Sequence, residues 1–127
     1  QPGYKDVVAE VTEFLRQRKL LCIDAIKSEQ ILLDPGFGFG KTLEHNLSLF
    51  AALPKLAAYK HPIVVGVSRK SMIGQIINTE VNDRLIGSVT MAVLAAQKIY
   101  RAGGSMILRV HDVKETKQAI QVWQATK

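Results

Sequence analysis

The sequence has a single cysteine, Cys22, among its 127 residues, which rules out an intramolecular disulfide. Cys22 stands in an apolar helical stretch, so it reads as a core residue rather than a nucleophile. A reducing, cytoplasmic setting is the expectation. No apolar run approaches the ~18 residues of a membrane span, and no signal-peptide pattern is present. Aromatic residues make up only 6% of the chain, and no block of about five or six like charges occurs. The formal net charge is nevertheless +6, from 17 basic and 11 acidic residues. A scattered excess of this kind lacks the clustering and exposed aromatics of a nucleic-acid stripe. It fits an anionic small substrate better, with no nucleic acid and no membrane as partner. No residues have metal-ligand spacing and no Ser-His-Asp set stands out. Asn46-Leu47-Ser48 matches a glycosylation acceptor, which in a helix of a cytosolic chain is read as chance.

What is present is an alternation of helical and strand patterns. Val7, Val8, Val11, Phe14 and Leu15 place one apolar face on a helix over residues 4 to 20. Ser28-Glu29-Gln30 breaks that pattern, and Ile31-Leu32-Leu33 reads as a strand. Leu43, Leu47, Phe50 and Leu53 mark a second helix with Thr42 as its N-cap, and Pro54 kinks it or starts a new turn. Residues 63 to 67 form the next strand, and residues 70 to 77 a short helix. Asn82 is expected to cap a long helix through Tyr100, with Leu85, Ile86, Val89, Val93 and Ala96 inward. Gly103-Gly104 ends it. Residues 106 to 110 form the third strand. Asp112 and Glu115 form a capping-box pattern before a last helix lined by Val113, Thr116, Ile120 and Trp123.

The strands are near-continuous apolar runs, as expected of parallel strands covered on both faces. Right-handed crossovers then bring every strand's carboxyl end to one side. Asp34, Ser68-Arg69-Lys70-Ser71, and Arg109 with His111-Asp112 all fall at those ends. Three strands are few for a sheet. The chain reads as the back half of something larger, with a small doubly wound domain as the other possibility.

Residues 34 to 41 read Asp-Pro-Gly-Phe-Gly-Phe-Gly-Lys. Gly40-Lys41-Thr42 has the look of a P-loop end, but the first glycine of that pattern falls on Pro35, and a dinucleotide fingerprint needs glycine where Lys41 stands. A tight structural turn is the plainer reading. Against it, Asp34 is a carboxylate at the end of a buried strand and needs a partner. A 2-amino-4-oxo pyrimidine edge, with two parallel N–H donors, is a good one. Ser68-Arg69-Lys70-Ser71 sets two cations and a hydroxyl at a helix N-terminus, a good anion site, with a solvated basic turn as the alternative. Arg109 and His111 lie on one side of an extended segment and can face one anion such as a pyrophosphate. Arg109 can also stack on a flat ring. His111 as a hydrogen-bonded structural residue is the alternative. No role is assigned to His45 or His61.

Asp34 through Lys41, Ser68-Arg69-Lys70-Ser71-Met72-Ile73-Gly74 and Arg109-Val110-His111-Asp112-Val113 together resemble three signature segments of the dihydropteroate synthase family, in that family's order and spacing. The resemblance covers essentially the whole chain. It implies an α/β fold, the C-terminal portion (about three strands and their helices) of a (β/α)8 TIM barrel with parallel strands. Residues 1–127 would be the carboxyl-terminal half of a pterin-binding barrel domain, with no second domain.

The implied activity condenses 6-hydroxymethyl-7,8-dihydropterin pyrophosphate with p-aminobenzoate, giving dihydropteroate and pyrophosphate on the folate route. Sulfonamides would act as p-aminobenzoate mimics. By the family pattern Asp34 holds the pterin's amino-pyrimidine edge and Lys70 its carbonyl side. Arg109 packs on the pterin face and, with His111, faces the departing pyrophosphate. Those four are the expected catalytic residues. Gly38 and Phe39 border the p-aminobenzoate pocket, Arg69 shapes it, Ser71 receives the aminobenzoate carboxylate, and Gly66 joins the substrate-binding set. The family also implies Mg2+, through an Asn in the amino-terminal half, and a homodimer built through the last helices, near Ile120 and Trp123. The isolated chain is expected to be inactive or nearly so, and its open strand edges to drive self-association. Two alternatives stay open. One is another pterin-binding barrel, such as a methyltetrahydrofolate methyltransferase. The other is a non-catalytic fragment or assembly module.

Overall fold

The computed structural model describes residues 3–22 and 28–127. Helix α1 spans Val7–Cys22 and buries Val7, Val11 and Leu15, a four-residue repeat that makes one narrow stripe. Its start is fixed by two acids. Asp6 accepts the Ala9 N–H at 3.1 Å, and Glu10 reaches back to the N–H groups of Lys5 and Asp6 at 2.9 Å each. Phe14 lies off the stripe and is exposed. Cys22, expected in the core, is exposed at the helix end. The apolar residues around it lie on both sides of a helix that buries only one.

A 3₁₀ turn at Ser28–Gln30 leads to the first expected strand. That strand is shorter than its apolar run suggests. It is a single parallel bridge, Leu33 to Ile63, held by Leu33 N–H to Pro62 O at 3.0 Å and Val64 N–H to Leu33 O at 2.8 Å. Helix α2 (Leu43–Ala51) begins at Thr42, whose hydroxyl accepts the His45 N–H while the His45 ring accepts the Thr42 N–H. The imidazole thus fills the place that Glu or Gln takes in a capping box. Pro54 falls in the first turn of α3 (Leu53–Ala57), where a missing N–H is no loss.

Strands β1 (Ile63–Val65) and β2 (Met106–Leu108) pair in parallel, Ile63 with Met106 and Val65 with Leu108. The three segments therefore lie side by side in the order 33, β1, β2, with their carboxyl ends together. Strand alternation sends Ile31, Leu33, Ile63 and Val65 into a core shared with α1, α2, α3, the short helix α4 (Ser71–Ile77) and the long helix α5 (Leu85–Arg101). The opposite face carries Leu32, Val64 and Ile107, and Leu32 and Ile107 are 49% and 45% exposed. Among the described residues the expected cover on both faces is thus present on one.

Helix α5 departs from its sequence pattern. A separate 3₁₀ turn (Val81–Asp83) takes up the expected Asn82 cap. The buried stripe is Ser88, Met91, Ala92, Ala95, Ala96 and Ile99, while Ile86 is 80% exposed. Alanines permit close approach of neighbouring elements, so the inward face is the small-residue face rather than the one richest in large aliphatics. Gly103 closes the helix at φ +78°. Helix α6 (Val113–Thr126) packs on α5, with Trp123 edge-on to Tyr100 at 5.6 Å. The expected capping box at its start does not form: Asp112 makes no side-chain cap and pairs elsewhere.

Candidate functional site

The site is built from the three segment ends. After Leu33, the Asp34 carboxylate accepts the Gly36 N–H at 2.9 Å and so bends its own turn. Gly36, Gly38 and Gly40 all have positive φ, between +61° and +90°. This alternation coils the chain so that its two phenylalanines part. Phe37 is 1% exposed and packs against Phe50 with ring centroids 6.0 Å apart, whereas Phe39 is 72% exposed. The turn is pinned by three bonds from two side chains. Asn46, buried in α2, accepts the Gly38 N–H at 2.9 Å, and Lys41 donates to the carbonyls of Gly36 and Phe39 at 2.8 and 3.1 Å.

After β1 comes Gly66, then the loop Ser68–Ser71. Ser68 is buried. Its hydroxyl accepts the His111 backbone N–H at 3.2 Å and lies 2.9 Å from His111 Nδ1. Arg69 takes a left-handed φ of +56°, uncommon for a residue with a Cβ. Its guanidinium grips Asp112 through two bonds of 2.7 and 3.2 Å. That pair raises the Arg69 pKa and lowers that of Asp112. Lys70 extends to the carbonyl oxygen of Phe37 and stands 5.3 Å from the Phe39 ring centroid. Burial, then the nearby Arg109 charge, lower the Lys70 pKa; the Asp34 carboxylate opposes the shift.

After β2, the Arg109 N–H bonds to Val65 O at 3.0 Å, and its guanidinium stands 3.5 Å from the Asp34 carboxylate. It lies so close over Gly66 that a Cβ there would overlap it.

Asp34, Gly66, Lys70 and Arg109 therefore meet at one place, and Gly38, Phe39, Lys70 and Ser71 line an adjoining open depression of about 230 Å³ together with Phe37. Two expected site residues are tied differently. Arg69 is engaged with Asp112, and His111 with Ser68; neither lines that depression. Asn46, Arg84 and Ser88 were not anticipated. Each is a polar residue on or beside a helix that holds a loop by a bond across sequence, and a single sequence carries no local signal for that. One carboxylate among the cations Lys41, Lys70 and Arg109 suits a ligand with a donor edge and an anionic tail. Among the described residues no three His, Cys, Asp or Glu side chains cluster to hold a metal, and no helix is long and apolar enough to cross a membrane.

Residues 1–111 match the pterin binding enzyme family. The dihydropteroate synthase of Escherichia coli K12 is 49% identical over 126 residues, covering 98% of this chain and 43% of that protein. The chain thus spans less than half the length of the curated relatives it matches. Its fold is that of the corresponding part of solved dihydropteroate synthase barrels. Against the Xanthomonas albilineans enzyme in complex with 7,8-dihydropteroate the TM-score is 0.91 at 44% identity, over 98% of this chain and 47% of that one. Against the Yersinia pestis enzyme in a sulfonamide drug complex it is 0.90 at 43% identity, over 99% and 44%.

Proposed function

This chain belongs to the pterin binding enzyme family, and we propose that it forms the carboxyl-terminal half of a dihydropteroate synthase barrel, which condenses 6-hydroxymethyl-7,8-dihydropterin pyrophosphate with p-aminobenzoate. The observation that carries the proposal is the meeting of Asp34, Lys70 and Arg109 from three separate segment ends, with Arg109 3.5 Å from the Asp34 carboxylate.

In this reading Asp34 exchanges its contact with Arg109 for the paired N–H donors of the amino-pyrimidine edge. Lys70 turns from the Phe37 carbonyl to the pterin carbonyl and ring nitrogen. The C–O bond to pyrophosphate breaks and the leaving group takes the electron pair, a charge that Arg109 and His111 stabilise. The arylamine nitrogen then attacks the exposed methylene carbon and loses a proton. Phe39 and Gly38 border the aminobenzoate, Ser71 at the start of α4 takes its carboxylate, and Arg69 shapes that side. Gly66 leaves the space that Arg109 occupies. Sulfonamides would compete at the aminobenzoate position.

Among the described residues no three His, Cys, Asp or Glu side chains gather as a protein-built Mg2+ site. A Mg2+ ion accompanying the pyrophosphate would be held by other residues, and no step here runs through it. A cytoplasmic homodimer completes the proposal. Trp123 is already packed against Tyr100 within the chain, but Val113 and Val122 on α6 are exposed and available to a second copy. The uncovered face at Leu32 and Ile107 would self-associate in the isolated chain.

Calorimetric titration with the pterin pyrophosphate tests the reading. Binding by the enzyme that includes this segment, lost in Asp34→Asn, supports it. Undiminished binding by Asp34→Asn overturns the assignment.

A further inference from the structure

Helix α4, which presents Lys70 and Ser71, is held from behind by two residues of the α5 start. Arg84 donates to the Arg69 carbonyl at 2.9 Å and to the Thr79 carbonyl at 3.3 Å. Those carbonyls stand just before and just after α4 (Ser71–Ile77). One guanidinium therefore ties the backbone before the helix to the backbone after it. Its path crosses Gly74, where an added Cβ would collide with the guanidinium. Ser88, buried on α5, accepts the Arg69 N–H at 2.9 Å and donates to the Arg84 carbonyl at 2.6 Å. Both backbone polar groups of Arg69 are thus bound, one by each residue. Arg69 is also the residue at φ +56°. A left-handed Arg persists only where its surroundings over-determine it.

We propose that Arg84 and Ser88 are positioning residues: by clasping the backbone of left-handed Arg69 they set the direction in which Lys70 and Ser71 enter the site. The proposal rests on the reading of the site given above and extends it. The clasp acts on one substrate side more than the other. Asp34 and Arg109 arrive on other segments and are not touched by it, while His111 meets the same loop at Ser68, one residue before Arg69. Lys70 has its own anchor on the Phe37 carbonyl. Ser71 opens α4 directly after that loop, placed by the loop on one side and by the buried Met72 and Ile73 on the other, with no such anchor among the described residues for its own side chain. A loosened clasp therefore misplaces the aminobenzoate carboxylate more than the pterin edge, which Asp34 and Arg109 hold. Lysine cannot substitute for Arg84, because a point charge with a single nitrogen does not reach two carbonyls on either side of a helix.

Two measurements test this. In the full-length enzyme, amide hydrogen exchange at Arg69 is expected to speed up about tenfold or more in Ser88→Ala, with distant core amides unchanged. In the full-length enzyme, Arg84→Met, Arg84→Lys and Ser88→Ala are each expected to raise the p-aminobenzoate KM about tenfold or more, while the pterin pyrophosphate KM moves less than about threefold. Unchanged exchange at Arg69, equal rises in both KM values, or full rescue by Arg84→Lys would each overturn the proposal. If Arg84→Met fails to fold, Ser88→Ala carries the same test with one hydroxyl removed. A wild-type enzyme that makes no dihydropteroate would count against the proposed function, while the exchange result still decides the clasp.

Discussion

The guanidinium of Arg109 lies directly on the α-carbon of Gly66, in the space where any other residue would place its Cβ. Strand β2 thereby sends a cation across the end of β1 to the Asp34 carboxylate, 3.5 Å away. Gly66 has no positive φ, so alanine meets no left-handed strain there, and it is the overlap with Arg109 that opposes it. Gly66→Ala is expected to fold with a stability change within about 1 kcal/mol. Its affinity for the pterin pyrophosphate should fall about tenfold or more, because Arg109 must leave its position. Calorimetry and a melting curve on the same sample check both halves. Unchanged affinity would mean that the placement of Arg109 over Gly66 is incidental.

Phe37 and Phe39 make a second pair of expectations. Phe37 is buried beside Phe50, so Phe37→Ala should destabilise by about 3–5 kcal/mol. Phe39 is exposed, so Phe39→Ala should change stability by no more than about 0.5 kcal/mol. In the assembled enzyme Phe39→Ala should instead raise the p-aminobenzoate KM. Chemical denaturation separates the two; equal destabilisation by both would contradict the geometry.

Two charged groups predict opposite ends of a stability profile. The Arg69 pair lowers the Asp112 pKa. Its contribution is therefore present above the unfolded aspartate value and lost as the pH falls through the folded one. Asp112→Asn should be less stable than wild type at neutral pH, and the gap should close in acid. Burial lowers the Lys70 pKa, so the unfolded state holds the proton more tightly. Wild-type stability relative to Lys70→Met should then improve as the pH rises from the folded Lys70 value toward the ordinary lysine value. Melting temperatures from pH 3 to pH 10 check both signs. A wild-type stability that falls relative to Lys70→Met toward alkaline pH would contradict the second.

The three segment ends were legible in the sequence because each combines an apolar run with residues of special chemistry. Glycines at 36, 38 and 40 announce a left-handed turn, and Asp34 directly after Leu33 announces a carboxylate at its mouth. The rest depended on contacts that have no local period. Ala96 faces inward as its spacing suggests, but it is joined there by Ser88, Met91, Ala92, Ala95 and Ile99, where apolar patterning favours Leu85 and Ile86. Asp112 resembles a helix cap in sequence but is claimed by Arg69, 43 residues away. Asn46, Arg84 and Ser88 are ordinary helical polar residues until their bonds to Gly38, Arg69 and Thr79 are seen. Cys22 reads as buried from its apolar neighbours, yet the helix turns it outward.

The central claim is that this chain supplies one half of a dihydropteroate synthase site, and one assay meets it head-on. Residues 1–127 are joined to the amino-terminal half of a dihydropteroate synthase, and product formation from 6-hydroxymethyl-7,8-dihydropterin pyrophosphate and p-aminobenzoate is followed, with the 127-residue chain alone alongside. The account predicts dihydropteroate and pyrophosphate from the joined protein at a rate about a hundredfold or more above that of the chain alone, since the chain alone positions only part of both substrates. A folded joined protein that makes no dihydropteroate, or a chain that is equally active by itself, would contradict it.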